Sequence, residues 1–427
     1  ANATRFVGIN CSFLAGGAAS SIQNNTIAGF ALYTSSGATT TNGILCGIAV
    51  TSGTANIGTV TGNNINSLYS ATTTTGGVIV GIYTSTTTGN TINIQNNSIS
   101  ALDAMGTTAS ISGGITCINT TGTLGSYNIS NNTIGNTTNP NLRMGNLTES
   151  GNLSNTGTTF SAATGASTFR GILNAANGTV TIGPNTIRNA NQNSTSTSSF
   201  LRGIEQTAST TTGAGILTIT GNTIQNLTTA STNSSLSVFS NYTTASGIIL
   251  NGSLANAVVT QNNISLISLS NTTTAGTNVA GIAVGQANNP IISGNTIFDL
   301  SNASTSTNAL TPGSISGILI RSGSSTVSPV NVVNNMISLG TSQTTNSCIV
   351  GIWGNHGQTT DPSVTNIYYN SVHITGTVSS GAQPSFGYVR GDLSTTARTA
   401  AVDVRNNIFN NERTGGTGSH YAIANNF

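Results

Sequence analysis

The chain has 427 residues, of which 36% are hydrophobic and only 4% are charged, and its formal net charge is +2. All ten basic residues are arginine and none forms a basic run, which disfavours nucleic acid and anionic membrane surfaces as partners. No apolar stretch approaches the roughly 20 residues that cross a bilayer. The chain begins at Ala1, close to the first copy of a repeat, so we expect a processed product or a fragment.

An Asn-x-Ile signature, or a near variant, recurs eleven times along the chain. The apolar residues of successive copies lie 33 to 53 residues apart, and a period of this size is typical of a solenoid. The copies begin at Asn25, Asn63, Asn97, Asn132, Asn185, Asn222, Asn262, Asn295, Asn335, Asn370 and Asn406.

A Gly-Ile signature alternates with the first one. Around both signatures apolar residues recur with period two, which indicates strands, while lysine is absent and Thr, Asn, Ser and Gly dominate, which disfavours helices. The pattern predicts an all-β parallel β-helix, a single domain over residues 1–427 with about eleven coils of about 35 residues and three strands per coil. The glycines are Gly8, Gly47, Gly81, Gly114, Gly171, Gly203, Gly247, Gly281, Gly317, Gly351 and, before a tyrosine, Gly387.

The recurring asparagine is expected at a corner between two strands. Asparagine tolerates left-handed backbone conformations, and stacked asparagine amides can bond one another from coil to coil. Where two asparagines are adjacent, we assign the second one to the corner. The predicted structural asparagines are Asn25, Asn64, Asn97, Asn132, Asn185, Asn222, Asn263, Asn295, Asn335, Asn370 and Asn407.

With these signatures, nearly the whole chain resembles the right-handed parallel β-helix repeat proteins of the pectin-lyase-like fold. The low-complexity repeats and the last stretch, residues 406–423, are also similar to large secreted surface proteins of Bacteroidota. The resemblance implies the fold and a location outside the cell or on its surface.

Activity is not expected to follow from this resemblance. Polysaccharide lyases and hydrolases on such a scaffold need clustered carboxylates to hold calcium or to act as an acid and base pair, and the eight acidic residues are scattered. The three histidines match no zinc spacing, so we expect no enzyme, metal or cofactor. By strand alternation we expect all four cysteines to face inward as buried apolar groups, namely Cys11, Cys46, Cys117 and Cys348.

Two polar constellations remain. Arg170 and Arg202 precede Gly-Ile signatures on consecutive coils near Glu205, so they form either a ladder for a carboxylated sugar or a surface pair relieved by Glu205. The C-terminal end, residues 356–427, is enriched in histidine and charge and is predicted to be a cap or docking face. Its candidate docking residues are Arg390, Asp392, Asp403, Arg405 and Arg413.

Both ends of the sequence fall within the repeat pattern, which predicts unpaired strand edges at each end. Matching open ends favour head-to-tail stacking, which propagates into a filament. We therefore expect a non-enzymatic structural subunit of an extracellular filament or sheath, whose partners are further copies or covalent neighbours in a longer chain. The alternative is a glycan-binding adhesin module; an ice-binding protein is less favoured. A long insertion at residues 135–168 is predicted to be a contact loop or decoration.

Overall fold

The protein is a parallel β-solenoid of about ten turns, with roughly 36 residues per turn. The computed structural model describes residues 5–35, 43–74, 76–87, 89–137, 141–147, 160–208, 215–234, 243–252, 256–274, 276–287, 289–305, 314–320, 329–354, 364–391 and 401–425. Within these ranges the chain forms strands and turns, and no helix there is long and apolar enough to cross a membrane. The predicted all-β solenoid is confirmed. The hand of its winding stays a prediction.

The strands are short and follow one another at turn-like intervals. Up to residue 206 they are β1 (Phe6–Cys11), β2 (Ser20–Ile22), β3 (Thr26–Thr34), β4 (Leu45–Val50), β5 (Ala55–Ile57), β6 (Asn64–Thr72), β7 (Val78–Thr86), β8 (Thr91–Gln95), β9 (Ser98–Gly106), β10 (Gly114–Gly122), β11 (Ser126–Ser130), β12 (Thr133–Ile134), β13 (Leu142–Asn146), β14 (Thr168–Ala176), β15 (Thr179–Ile182), β16 (Thr186–Gln192) and β17 (Phe200–Gln206).

From residue 216 onward the strands are β18 (Ile216–Thr220), β19 (Thr223–Thr229), β20 (Ala245–Asn251), β21 (Asn256–Thr260), β22 (Asn263–Leu269), β23 (Val279–Gln286), β24 (Ile291–Ser293), β25 (Thr296–Phe298), β26 (Ser301–Asn302), β27 (Ile315–Ile320), β28 (Val330–Val333), β29 (Met336–Leu339), β30 (Ile349–Gly354), β31 (Thr365–Tyr368), β32 (Ser371–Ile374), β33 (Thr377–Val378), β34 (Ser385–Arg390), β35 (Val402–Arg405), β36 (Ile408–Asn411), β37 (Thr414–Gly415) and β38 (His420–Asn425).

The chain divides into two compact units, the first with residues 1–217 and 227–231 and the second with residues 218–226 and 232–427. In the first unit, the parallel orders are β1-β4-β7-β10-β14-β17 in the first sheet, β2-β5-β8-β11-β15 in the second, and β3-β6-β9-β12-β16 in the third, which β13 also joins. In the second unit they are β20-β23-β27-β30-β34-β38, β21-β24-β28-β31-β35 and β22-β25-β29-β32-β36. Every turn therefore supplies one strand to each sheet.

At Gly47 and Gly317, core packing requires the glycine of the Gly-Ile signature. A methyl group added at Gly47 would lie 2.8 Å from Cγ2 of Ile65, the inward isoleucine of the third sheet, and 2.6 Å from the carbonyl oxygen of Gly81. At Gly317 the corresponding distance to Cγ2 of Ile337 is 2.6 Å. A side chain at these positions would overlap atoms that have no room to move, because protein interiors are close-packed.

The fourth copy of this signature was assigned wrongly. The ladder pairs Ile118 with Ile82 and Ile172, so the equivalent dipeptide is Cys117-Ile118 and not the one that begins at Gly114. Cys117 therefore takes the position that glycine holds in neighbouring turns, and it is fully buried. Burial raises the pKa of its thiol, which keeps the group neutral.

The inward prediction is wrong for two of the other cysteines. The ladder skips the signature glycine, so the alternation of faces is reset there. Cys46 consequently packs in a buried cluster with Ala49 and Val80. Cys348 packs with Trp353 in a second buried cluster. Both are buried free thiols, and burial raises the pKa of each to about 12. Cys11 is half-buried on the last position of β1, beside Val50.

Part of the predicted insertion lies inside the third sheet. Strand β13 pairs with β9 and β16, and Leu142 and Met144 are fully buried. Arg143 forms a buried ion pair with Asp103, with 2.5 Å between Nη2 and Oδ2. Residues 138–140 and 148–159 lie outside the described ones, so the contact role of the insertion stays a prediction.

Candidate functional site

A ladder of asparagine side chains runs along the corner between the second and third sheets of each unit. The side-chain Nδ2 of each asparagine donates to Oδ1 of the next asparagine over 2.8 to 3.0 Å. The order is Asn25, Asn63, Asn97, Asn132 and Asn185 in the first unit, and Asn222, Asn262, Asn295, Asn335, Asn370 and Asn407 in the second.

Each interior amide in the ladder is well satisfied. Asn335 is fully buried, and its Oδ1 accepts from the backbone and side-chain nitrogens of Asn295 at 3.0 and 2.9 Å. Its Nδ2 donates to Oδ1 of Asn370 and to the carbonyl oxygen of Ile292, at 2.9 and 3.0 Å. Because every bond points the same way, the ladder has a direction: nitrogens face the C-terminal turns and oxygens face the N-terminal turns.

Two of the predicted ladder residues are wrong. Asn64 and Asn263 are exposed first residues of β6 and β22, and the ladder uses Asn63 and Asn262 in their place. A corner side chain must lie two residues before the inward isoleucine to reach the next corner, so the first asparagine of each pair is selected.

The left-handed residue of the corner is also displaced from the prediction. It is the residue before the ladder asparagine, as at Asn96 (φ 59°), Asn334 (φ 57°) and Asn406 (φ 54°). The ladder asparagine itself contributes its amide, and its predecessor makes the bend, a conformation that asparagine tolerates better than most residues.

The last copy of the Asn signature is shifted by one residue. Asn407 accepts from Asn370, as predicted, but the ladder pairs Phe409 with inward Val372 and leaves Ile408 facing outward, 66% exposed. The working signature in this turn is therefore Asn407-Ile408-Phe409.

In the last described turn of the second unit, apolar residues are exposed at repeat positions that are buried in every preceding turn of that unit. Ile423 pairs with Tyr388 and Val404 pairs with Ile367, and these partners are 3% and 0% exposed. Ile423 and Val404 themselves are 53% and 37% exposed. Strands β35, β36 and β38 are the last in their sheets among the described strands, so the turn presents both apolar core residues and backbone edges.

The charges at this end have different environments. Asp403 and Arg405 form an exposed ion pair, with 2.6 Å between Oδ2 and Nη2, and the Tyr368 hydroxyl donates to Asp403 Oδ2 at 2.8 Å. The bonds from Arg405 and then from Tyr368 lower the pKa of Asp403. Arg390 is half-buried on β34. Asp392 lies outside the described residues.

Arg413 does not belong to a docking face. It is 3% exposed, and its Nη1 donates to the carbonyl oxygen of Ser347 at 2.5 Å. Burial lowers its pKa. Its side chain satisfies backbone groups of an earlier turn, which is a structural role.

Arg170, Arg202 and Glu205 come together as a buried cluster and not as a surface pair. Arg170 and Arg202 are ladder partners, and Glu205 binds both, with 2.5 Å between its Oε2 and Arg170 Nε. Both guanidinium groups lie over the Phe200 ring, at 4.7 and 4.0 Å from its centroid. The side chains of Arg202 and Glu205 are 2% exposed and that of Arg170 is 23% exposed, so only Arg170 reaches the surface.

Burial of this cluster lowers the pKa of both arginines. The pKa of Arg170 falls to about 10, and that of Arg202 falls well below its ordinary value, first through burial and then through the neighbouring charge of Arg170. A single carboxylate that binds two guanidinium groups leaves no open ladder for a carboxylated sugar in this geometry.

Sequence reasoning missed a groove on the outward face of the third sheet in the second unit. The groove has a volume of about 770 Å³ and is formed by β25, β29, β32 and β36 with the turns that follow them. Its lining includes the apolar residues Phe298, Met336 and Ile408 and the polar residues His373 and Glu412. These residues occupy outward positions that differ from copy to copy, so no repeat signature marks them.

A hydrogen bond orders one end of this groove. His373 Nε2 lies 3.3 Å from Glu412 Oε2, and Asn410 donates to Glu412 Oε1 at 2.8 Å. The bonds from Asn410 and then from His373 lower the pKa of Glu412. In the described part of the chain, no group of three or more His, Cys, Asp or Glu side chains is arranged to hold a metal ion.

No protein-family model, curated protein or solved structure matches this chain. The fold therefore rests on the strand pairing described above, and the resemblance to pectin-lyase-like repeats and to Bacteroidota surface proteins stays an expectation.

Proposed function

We propose that the chain is a non-enzymatic structural protein, a subunit of a cell-surface or secreted filament or sheath that assembles by end-to-end stacking of its open β-helix ends. The observation that supports this most is the last described turn, in which Ile423 and Val404 are exposed at positions that are buried in the turns before it. Uncovered apolar groups and unpaired strand edges favour association with a further strand layer.

The first described turn offers a matching surface. Phe6 and Ile9 on β1 are half-buried, whereas their ladder partners Leu45 and Ile48 are fully buried. Phe6 also packs on Phe30 of β3, with 4.2 Å between ring centroids, so two sheets of this turn share an apolar rim.

The asparagine ladder gives the two ends complementary polarity. In the described part of the chain, Asn407 has no following ladder neighbour and Asn25 has no preceding one. Stacking the last turn of one copy on the first turn of another would let Asn407 Nδ2 donate to Asn25 Oδ1, in the direction of all the other ladder bonds. A head-to-tail contact of this kind does not close on itself and therefore propagates.

The extracellular location belongs to the same proposal. It is supported by the 4% content of charged residues, unusual for a globular domain, and by the resemblance of the repeats to secreted surface proteins of Bacteroidota. In this proposal a second copy of the chain covers each end. The alternative is a covalent neighbour in a longer chain, and the test must distinguish between these two.

Sedimentation velocity over a concentration series tests the proposal with a matched pair of variants. Ile423→Asp places a charge on the exposed inward position of the last turn, and Ile408→Asp places the same charge on an outward position of the same turn. The wild-type chain and Ile408→Asp should form large species as concentration rises, and Ile423→Asp should stay monomeric with an unchanged circular dichroism spectrum. A wild-type chain that is monomeric at all concentrations would contradict the proposal and favour covalent neighbours.

A further inference from the structure

The groove on the third sheet of the second unit has the size of a ligand site. Its volume of about 770 Å³ falls within the range of roughly 300 to 1,000 Å³ that is usual for small-molecule pockets. It lies on the side of the sheet that faces away from the core, so it does not depend on the stacking of ends.

Two parallel rows of side chains cross the groove at the spacing of the strands, about 4.8 Å. The ladder between β25, β29, β32 and β36 aligns one row as Thr296, Met336, Ser371 and Ile408, and the other as Phe298, Ser338, His373 and Asn410. Four strands span three such spacings, about 14 Å, so the groove presents a repeating surface along the stacking direction.

Three large apolar side chains are among the outward residues that line the groove. Met336 is 63% exposed and Ile408 is 66% exposed, with the half-buried Phe298 ring in the neighbouring row. Ser371 lies between Met336 and Ile408 in their row, so apolar and polar side chains alternate along the groove.

The polar groups of the groove are two carboxylates, an amide, an imidazole and the hydroxyl groups of Thr296, Ser338, Thr341 and Ser371. His373, Asn410 and Glu412 are joined by hydrogen bonds at one end, and Asp299 lies toward the other. The lining contains two carboxylates and no arginine, so the local charge opposes an anionic ligand.

We propose that this groove binds a short oligosaccharide that carries no acidic groups. A sugar ring has apolar C–H faces that can pack on Phe298, Met336 or Ile408, and hydroxyl groups that can bond to the carboxylate, amide, imidazole and hydroxyl groups between them. An oligosaccharide repeats its units along one direction, and the groove repeats its side chains along one direction. The excess of carboxylates admits neutral and amino sugars and opposes uronic acids.

An array of immobilised oligosaccharides that includes neutral, amino and uronic-acid chains tests this assignment, followed by calorimetry with the soluble form of each sugar that gives a signal. The groove variants are Met336→Asp and His373→Ala. The control is Val60→Asp, since Val60 is an apolar residue in the first unit that is 84% exposed. We expect the wild-type chain and the control to bind neutral or amino sugars, and each groove variant to bind at least about tenfold more weakly.

Three results would overturn the assignment. They are a wild-type chain without signal on any sugar, a signal confined to uronic acids, and a signal that the groove variants leave unchanged. Sedimentation of the same variants tests whether a second copy of the chain, and not a sugar, occupies the groove. If Met336→Asp abolishes self-association in the absence of sugar, the groove is a contact between copies and not a sugar site. A monomeric wild-type chain that binds neutral sugars through this groove would support the sugar site and contradict the filament proposal.

Discussion

The last two turns of the second unit place similar residues at the same repeat positions in opposite environments. Ile367 and Tyr388 are 0% and 3% exposed, whereas their ladder partners one turn later, Val404 and Ile423, are 37% and 53% exposed. The strand type, the corner asparagine and the apolar character are shared. The difference is that a further turn covers the earlier one. In this fold the burial of a residue therefore depends on the neighbouring turn as much as on the residue itself.

The largest expected effect comes from charging an interior turn. Ile352→Asp should lower the free energy of unfolding by several kcal/mol, because Ile352 is fully buried and an unpaired carboxylate would be left in the core. Ile423→Asp in the last turn should cost far less in the isolated chain. Chemical denaturation of both variants measures the contrast, and equal losses would show that the last turn is covered in the isolated chain.

Removal of the carboxylate from an ion pair should cost much more stability when the pair is buried than when it is exposed. Glu205→Gln should destabilise the chain by about 3 to 5 kcal/mol, because the buried Arg202 and the half-buried Arg170 would lose the carboxylate that they share. Asp403→Asn, which breaks the exposed pair with Arg405, should leave the melting temperature nearly unchanged. Thermal unfolding followed by circular dichroism checks both variants, and a large loss in Asp403→Asn would contradict the distinction.

Truncation of the ladder should have an intermediate effect. Asn335→Ala should cost about 1 to 3 kcal/mol, because it leaves bonding groups of Asn295 and Asn370 without their partner inside the fold. Asn407→Ala should cost less in the monomer, since Asn407 has a ladder neighbour on one side only among the described residues. If both cost the same in the monomer, the end of the ladder is not open in the way described.

At the exposed contacts of the last turns, acidification should give the smallest of these effects. The pKa values of Asp403 and Glu412 are lowered in the folded chain, so each contributes stability that is present above its ordinary pKa and is lost as pH falls through its folded pKa. The contribution should therefore fade below about pH 4. Carboxyl chemical shifts measured against pH should show both midpoints below the ordinary values of 3.8 and 4.5. Midpoints at or above those values would contradict these contacts.

The repeat period predicted the solenoid because each turn buries its apolar positions in the same way. It could not choose between adjacent asparagines, as at Asn63 and Asn64, because that choice depends on which amide reaches the next turn. Nor could strand alternation predict on which face of the sheet Cys46 lies, because the ladder skips the glycine beside it.

The candidate sites were less predictable than the fold. Arg202 looks like a surface residue in the sequence, but Glu205 and Phe200 hold it in a buried cluster. The groove around Met336 arises from outward positions of four strands whose chain separation is large and whose residues do not repeat. Contacts of this kind are set by the stacking of turns and leave no local signature.

Electron microscopy of the purified wild-type chain at neutral pH, without ligand, tests end-to-end assembly most directly. The proposal predicts long uniform fibres of one copy per axial repeat, with strands perpendicular to the fibre axis. Dispersed particles of single-copy size at every concentration would contradict it.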